Sequence, residues 1–149
     1  MTRMNDDIIE TFRANGGVVG GPSEGKRLIL LHHLGRRTGT QRVTPLVAAS
    51  DGDSYLVGGS MGGAPADPAW VANIEDAPDE TTIEVGDRLL RAKTTVVRPT
   101  APGWQRLYDI WRAYWPAAAH YETRTNRKFP IIQLDPSTDL RFGGKMPAG

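Results

Sequence analysis

The chain has 149 residues, of which 39% are hydrophobic and 23% charged, and its formal net charge is +1. These values describe one globular domain with room for a proper core, and they supply no global basic field to gather nucleic acid. Cysteine is absent, which excludes disulfides, thiolate metal sites and cysteine nucleophiles and agrees with a reducing cytoplasm.

The N-terminus, MTRMNDDIIETF, is acidic and lacks a long apolar core, so it does not read as a signal peptide. Asn5 or Asp6 caps a helix through about Ala14, with Ile8, Ile9 and Phe12 on its apolar face and Gly16-Gly17 at its end. A Gly/Pro-rich loop follows from Gly16 to Gly25. Lys26 to His33 is the first strand, and its apolar run from Leu28 to Leu31 is far too short to span a membrane. Arg42 to Ala49 is the second strand, and Asp51-Gly52-Asp53 turns the chain into a third, Ser54 to Gly58. After an irregular stretch to Ala66, Asp67-Pro68 starts a helix by N-cap and first-turn chemistry, and it ends before Pro78. Thr81 to Val85 and Arg88 to Val97 form a hairpin around Gly86-Asp87. Pro102 to Tyr114 is an aromatic helix, Thr123 to Phe129 is polar and basic, and Ile131 to Leu134 is a last strand. The chain from Asp135, 137–149 above all, reads as a loose tail. Hairpin-linked strands with helices at the ends predict an α+β fold, a small, mainly antiparallel β-barrel within a single domain over 1–149.

Three segments hold candidate chemistry. In LILLHHLGRRTGTQRVTPL, Arg36, Arg37, Thr38, Gly39 and Arg42 surround one tight turn. Guanidinium forks, a hydroxyl and backbone N–H groups suit a phosphate or carboxylate; the same residues also suit a solvated hairpin tip. In GGSMGGAPADPAWVANIEDAP, glycines flank Ser60 and Met61 ahead of a helix in which Trp70 and Asn73 share a face. An aromatic beside an amide suits a planar heterocycle, and it equally suits a core tryptophan with a locally capping asparagine. Between Trp111 and Pro130, Tyr114, Trp115 and Tyr121 wall either an apolar pocket or a satellite core. His32 and His33 are adjacent on a strand and point to opposite faces, so with one further histidine they make no metal site.

FRANGG, GGPSEG, LLHHLGRRTGTQRVTPL, GGSMGGAPADPAWVANIEDAP and TRTNRKFPIIQLDP occur in this order and span most of residues 12–136. Together they resemble the deazaflavin-dependent nitroreductase family of actinobacteria, flavin/deazaflavin oxidoreductases with a split β-barrel of the FMN-binding-protein type. The resemblance implies a reduced coenzyme F(420), an 8-hydroxy-5-deazaflavin with an anionic phospholactyl-oligoglutamate tail. It implies that Arg36, Arg37, Thr38, Gly39 and Arg42 meet the tail. Ser60, Met61, Gly62, Pro68, Trp70 and Asn73 would then meet the ring. It further implies hydride transfer to a small electrophilic acceptor (an activated alkene or enone, a nitro compound or a quinone), with Trp115 and Tyr121 lining the substrate pocket. Tyr121 is the candidate proton donor in competition with solvent. The sequence departs from the family pattern in WPAAAHYETRTNR, where alanines separate these aromatics and imply a more open pocket. Its acidic start argues against stable membrane insertion. The alternatives are FMN on the same fold, a non-catalytic F(420) carrier, and a barrel that binds single-stranded nucleic acid, which the near-neutral charge disfavours. Split barrels of this type act as monomers or homodimers.

Overall fold

The computed structural model describes residues 3–19, 26–35, 38–59, 68–76 and 81–139. In chain order the elements are α1 (Arg3–Ala14), β1 (Leu28–Leu34), β2 (Gln41–Val47), β3 (Ala49–Asp51), β4 (Ser54–Gly58) and α2 (Ala69–Asp76). They continue with β5 (Thr82–Val85), β6 (Arg88–Val97), α3 (Trp104–Tyr114), α4 (Ala117–Glu122) and β7 (Ile131–Asp139).

The described strands form one seven-stranded sheet in the order β2-β1-β5-β6-β7-β4-β3, and every pairing is antiparallel. β2 and β3 stand at opposite ends of that order, yet only Ala48 separates them in the chain. A flat sheet cannot set its two outer strands one residue apart, so the sheet curls back on itself as a split barrel. Ala48 is fully buried at this corner, and its N–H donates to the Arg27 carbonyl at 3.0 Å. The expected second strand, Arg42 to Ala49, is therefore two strands that share a bend.

One face of the sheet gathers Ile29, Leu31, Val57, Ile83, Ile132 and Leu134 from four strands into a single cluster, closed by Trp70, Val71 and Ile74 of α2. This is the barrel interior. The outer face carries two separate clusters. α1 covers Leu28 and Leu30 with Ile9 and Phe12, and α3 covers Leu56 and Ile131 with Trp104, Leu107, Tyr108 and Trp111. Period-two alternation makes this possible, since neighbours on one strand serve opposite faces.

Two glycines carry close approaches. At Gly58 a Cβ would lie 2.4 Å from Trp111 Cζ2, so only hydrogen fits beneath the indole. Gly17 ends α1 with φ 96° and its N–H on the Phe12 carbonyl at 2.8 Å. A Cβ there would lie 2.8 Å from Gly86 Cα, so the helix end rests directly on the β5–β6 turn.

Two further departures from expectation have local causes. α3 ends at Tyr114, with Trp115 as its C-cap, because Pro116 brings no N–H, and the chain restarts as α4, which the sequence reading left without structure. β7 runs to Asp139 rather than stopping at Leu134, so the expected tail from Asp135 is in part a strand paired with β6. Pro136 is tolerated there because β4 pairs only with residues Ile131 to Leu134, and a bulge lies opposite, between Arg91 and Ala92.

Candidate functional site

The β1–β2 hairpin closes with Gly35 N–H on the Thr40 carbonyl at 2.8 Å and Gly39 N–H on the Gly35 carbonyl at 2.7 Å. Gly39 takes φ 70°, the left-handed conformation that favours glycine. A Cβ on Gly35 would lie 3.1 Å from Thr38 Oγ1 and 3.2 Å from Arg42 Nε. A hydroxyl and a guanidinium thus converge over a bare glycine backbone. Thr38, Gly39 and Arg42 are all exposed, and among the described residues no carboxylate pairs with Arg42. The donor set fits a phosphate or carboxylate. Arg36 and Arg37 lie outside the described residues.

Behind this turn, facing the barrel interior, is a buried polar group. His33 opposes Arg42 in the β1–β2 register and is only 4% exposed. Its Nδ1 lies 3.0 Å from Asn73 Nδ2 and its Nε2 3.0 Å from Thr44 Oγ1. The Asn73 amide nitrogen can only donate, so Nδ1 accepts and Nε2 carries the proton given to Thr44. Burial, then the charges of Arg42 and His32, push the His33 pKa down to about 4, so the ring is neutral. Asn73 is itself 5% exposed. Facing inward, it meets a histidine.

Pro68 is buried just before α2, and its carbonyl accepts the Val71 N–H at 3.1 Å. Trp70 is 6% exposed and belongs to the interior cluster, the core place its sequence reading allowed. Ser60, Met61 and Gly62 lie outside the described residues. The root of that glycine loop is visible at Gly59. Its N–H donates to the Pro130 carbonyl at 2.9 Å, and its carbonyl accepts from Arg127 Nη1 at 3.1 Å. Arg127 also stacks on Phe129 at 4.8 Å.

Trp115 and Tyr121 are half-buried and pack against the α3 cluster on the outer face. Thr44 and Asn73 belong to the inner face, so the described contacts do not join the two sets. α4, which carries Tyr121, is tied to α3 through Glu122. That carboxylate accepts from the Tyr108 hydroxyl and, at 3.0 Å, from Arg112 Nε. Burial, reinforced by Glu122, raises the Tyr108 pKa.

On the outer face, His32 Nε2 lies 2.6 Å from Glu84 Oε2, and Arg13 of α1 grips the same carboxylate with Nε at 3.1 Å and Nη2 at 2.7 Å. Burial pushes the Glu84 pKa up, but the bonds from Arg13 and His32 outweigh it and hold the carboxyl below its usual range. The two histidines thus do face opposite ways. Among the described residues no group of three His, Asp or Glu side chains could hold a metal ion, and no helix is long and apolar enough to cross a membrane.

His33, Thr44 and Arg127 were not singled out as site residues from the sequence. Strand alternation puts His33 on one face of β1, but only the seating of α2 shows that Asn73 meets it.

A family model described as F420H(2)-dependent quinone reductase matches residues 3–136. The chain belongs to that family. The fold and enzyme class implied by its motifs, a split-barrel F(420)-dependent reductase, agree with this membership. The F420H(2)-dependent quinone reductase Rv1261c of Mycobacterium tuberculosis is 33% identical over 136 residues, covering 90% of this chain and 89% of that protein. Among solved structures, an F420-H2 dependent reductase, FDR-A, matches with a TM-score of 0.64 and 23% identity over 79% of this chain and 97% of its own. A structure described as a domain-swapped dimer matches with a TM-score of 0.66 and 20% identity, covering 87% and 95%. At such identities the structural likenesses carry the fold alone.

Proposed function

We propose that this protein binds reduced coenzyme F(420) and reduces a small electrophilic acceptor, with quinones as the first class to test. When bound, the coenzyme supplies hydride from C5 of its deazaflavin ring. The observation that carries the reading is the convergence of Thr38 Oγ1 and Arg42 Nε over Gly35 on an exposed turn. It offers charge-assisted hydrogen bonds to a phosphate or carboxylate tail.

In this reading Arg36, Arg37, Thr38, Gly39 and Arg42 hold the tail. Ser60, Met61 and Gly62 would offer backbone to the ring, Pro68 and Trp70 would pack near it, and Asn73 would fix its orientation. Trp115 and Tyr121 wall the acceptor side. A quinone or alkene that gains hydride must also gain a proton, and the Tyr121 hydroxyl supplies it in competition with solvent. Tyr121→Phe then lowers kcat on an enone about tenfold or more; unchanged turnover would assign the proton to water. Nitro compounds and enones are further acceptors of the same electrophilic kind.

Titration with coenzyme F(420) and, in parallel, FMN, read by tryptophan quenching, tests the cofactor. Micromolar or tighter binding of F(420) with much weaker FMN supports the reading. Tight binding of FMN alone overturns the cofactor. Tight F(420) binding without turnover of any quinone, enone or nitro acceptor makes the protein a carrier.

A further inference from the structure

We propose that His33 is a positioning residue that couples the two halves of the coenzyme site, by joining the Asn73 amide on α2 to Thr44 on β2, the strand that carries Arg42. The inference rests on the functional reading above and adds to it how the ring side and the tail side are held in register.

α2 enters the barrel from a glycine-rich loop, and the basic turn lies on the β1–β2 hairpin. These elements are far apart in sequence. Among the described polar contacts between them, the His33–Asn73 bond joins residues 40 apart, and the His33–Thr44 bond continues it across the hairpin. An imidazole is suited to this place because one ring nitrogen accepts while the other donates, along a rigid plane. The same neutral ring stands beside Arg42 without competing for an anion. A lysine or arginine at this position would attract the anion itself, and an aliphatic residue would take away the acceptor that the imidazole offers the buried Asn73 amide. His33 has no place of its own in hydride or proton transfer. Its effect passes through Asn73 and the β2 strand.

Two consequences separate this role from ordinary packing. Replacing the imidazole with an apolar group of similar bulk should weaken ring binding although His33 lies at the hairpin. It should also shrink the advantage that the tail gives the intact coenzyme over the bare ring, because Arg42 loses its registration.

The test uses wild type, His33→Leu, His33→Asn and Thr44→Val, titrated with intact coenzyme F(420) and with 8-hydroxy-5-deazariboflavin, which lacks the phosphate and tail. His33→Leu should raise the dissociation constant of the bare ring about tenfold, the scale expected when a buried donor loses an acceptor, and that of the intact coenzyme about thirtyfold or more, which cuts the tail advantage at least about threefold. His33→Asn keeps an acceptor near Asn73 and should recover most of the ring affinity. Equal losses for both ligands, or a folded His33→Leu protein that binds the intact coenzyme within twofold of wild type, would overturn the coupling. Should His33→Leu not fold, two measurements remain. Thr44→Val should lower the tail advantage, and nitrogen-15 spectra of the wild type should show His33 as the Nε2–H tautomer; an Nδ1–H tautomer overturns the proposal. Absence of coenzyme binding by the wild type would instead refute the functional reading, so the two failures are distinct.

Discussion

Acid should destabilise this protein as the pH falls through 6.5, and His33 is the reason. Its folded pKa is about 4 against an ordinary 6.5. At pH 7 both folded and unfolded chains hold the ring neutral. As the pH falls through 6.5 the unfolded chain takes up a proton that the folded chain refuses, so the unfolded state gains. The stability that depends on a neutral His33 is full above the unfolded value and is lost progressively toward pH 4. Linkage over that interval gives about 2 kcal/mol lost between pH 7 and pH 5, and about 3 kcal/mol at the limit. For a chain of this size the first figure lowers Tm by roughly 4–8 °C. Glu84 is held below the usual carboxylate range, so its own acid loss comes lower on the pH scale. The assay is thermal unfolding by circular dichroism at pH 7, 6 and 5 and constant ionic strength, for wild type and His33→Leu. The variant should lose less between pH 7 and 5, by about the same 2 kcal/mol. Equal slopes in the two proteins, or a His33 ring found protonated at pH 6 by NMR of the wild type, would refute the reasoning.

Three further outcomes follow from the geometry. Gly58→Ala forces a methyl into the Trp111 indole, which is 2% exposed and T-shaped against Phe129; it should cost about 3 kcal/mol in urea unfolding. Combining it with Trp111→Phe should cost less than the two single changes summed. Glu84→Gln removes the carboxylate shared by Arg13 and His32 and should cost about 1–2 kcal/mol, with amide exchange rising first in α1. Arg42→Ala should weaken coenzyme F(420) about tenfold while leaving Tm within about 1 °C, since Arg42 is exposed and its contribution is to the ligand.

Much of the fold is written locally. A short apolar run marked β1, alternation runs through β6, and the Gly52 and Gly86 turns set the β3–β4 and β5–β6 hairpins. Gly16-Gly17 ended α1 where the structure ends it. The anion character of the basic turn was likewise legible, because arginines, a threonine and glycines within a few residues must share one loop. What stayed hidden was either short or distant. Six residues of α4 carry too little periodicity to stand out behind Pro116, and the extension of β7 depends on β6 offering a partner beyond Leu134.

The sequence by itself determined the places of β1, β4, β5 and β6, the glycine turns, the family motifs and the opposite facing of His32 and His33, since each follows from neighbours within a few residues. Only the tertiary structure decided that the two outer strands meet at Ala48 and that Trp70 is core. It alone decided that Gly58 lies under Trp111 and that His33 is pinned between Asn73 and Thr44. These facts depend on which surfaces are buried together once the sheet curls, and burial is a property of the whole chain that no local window contains.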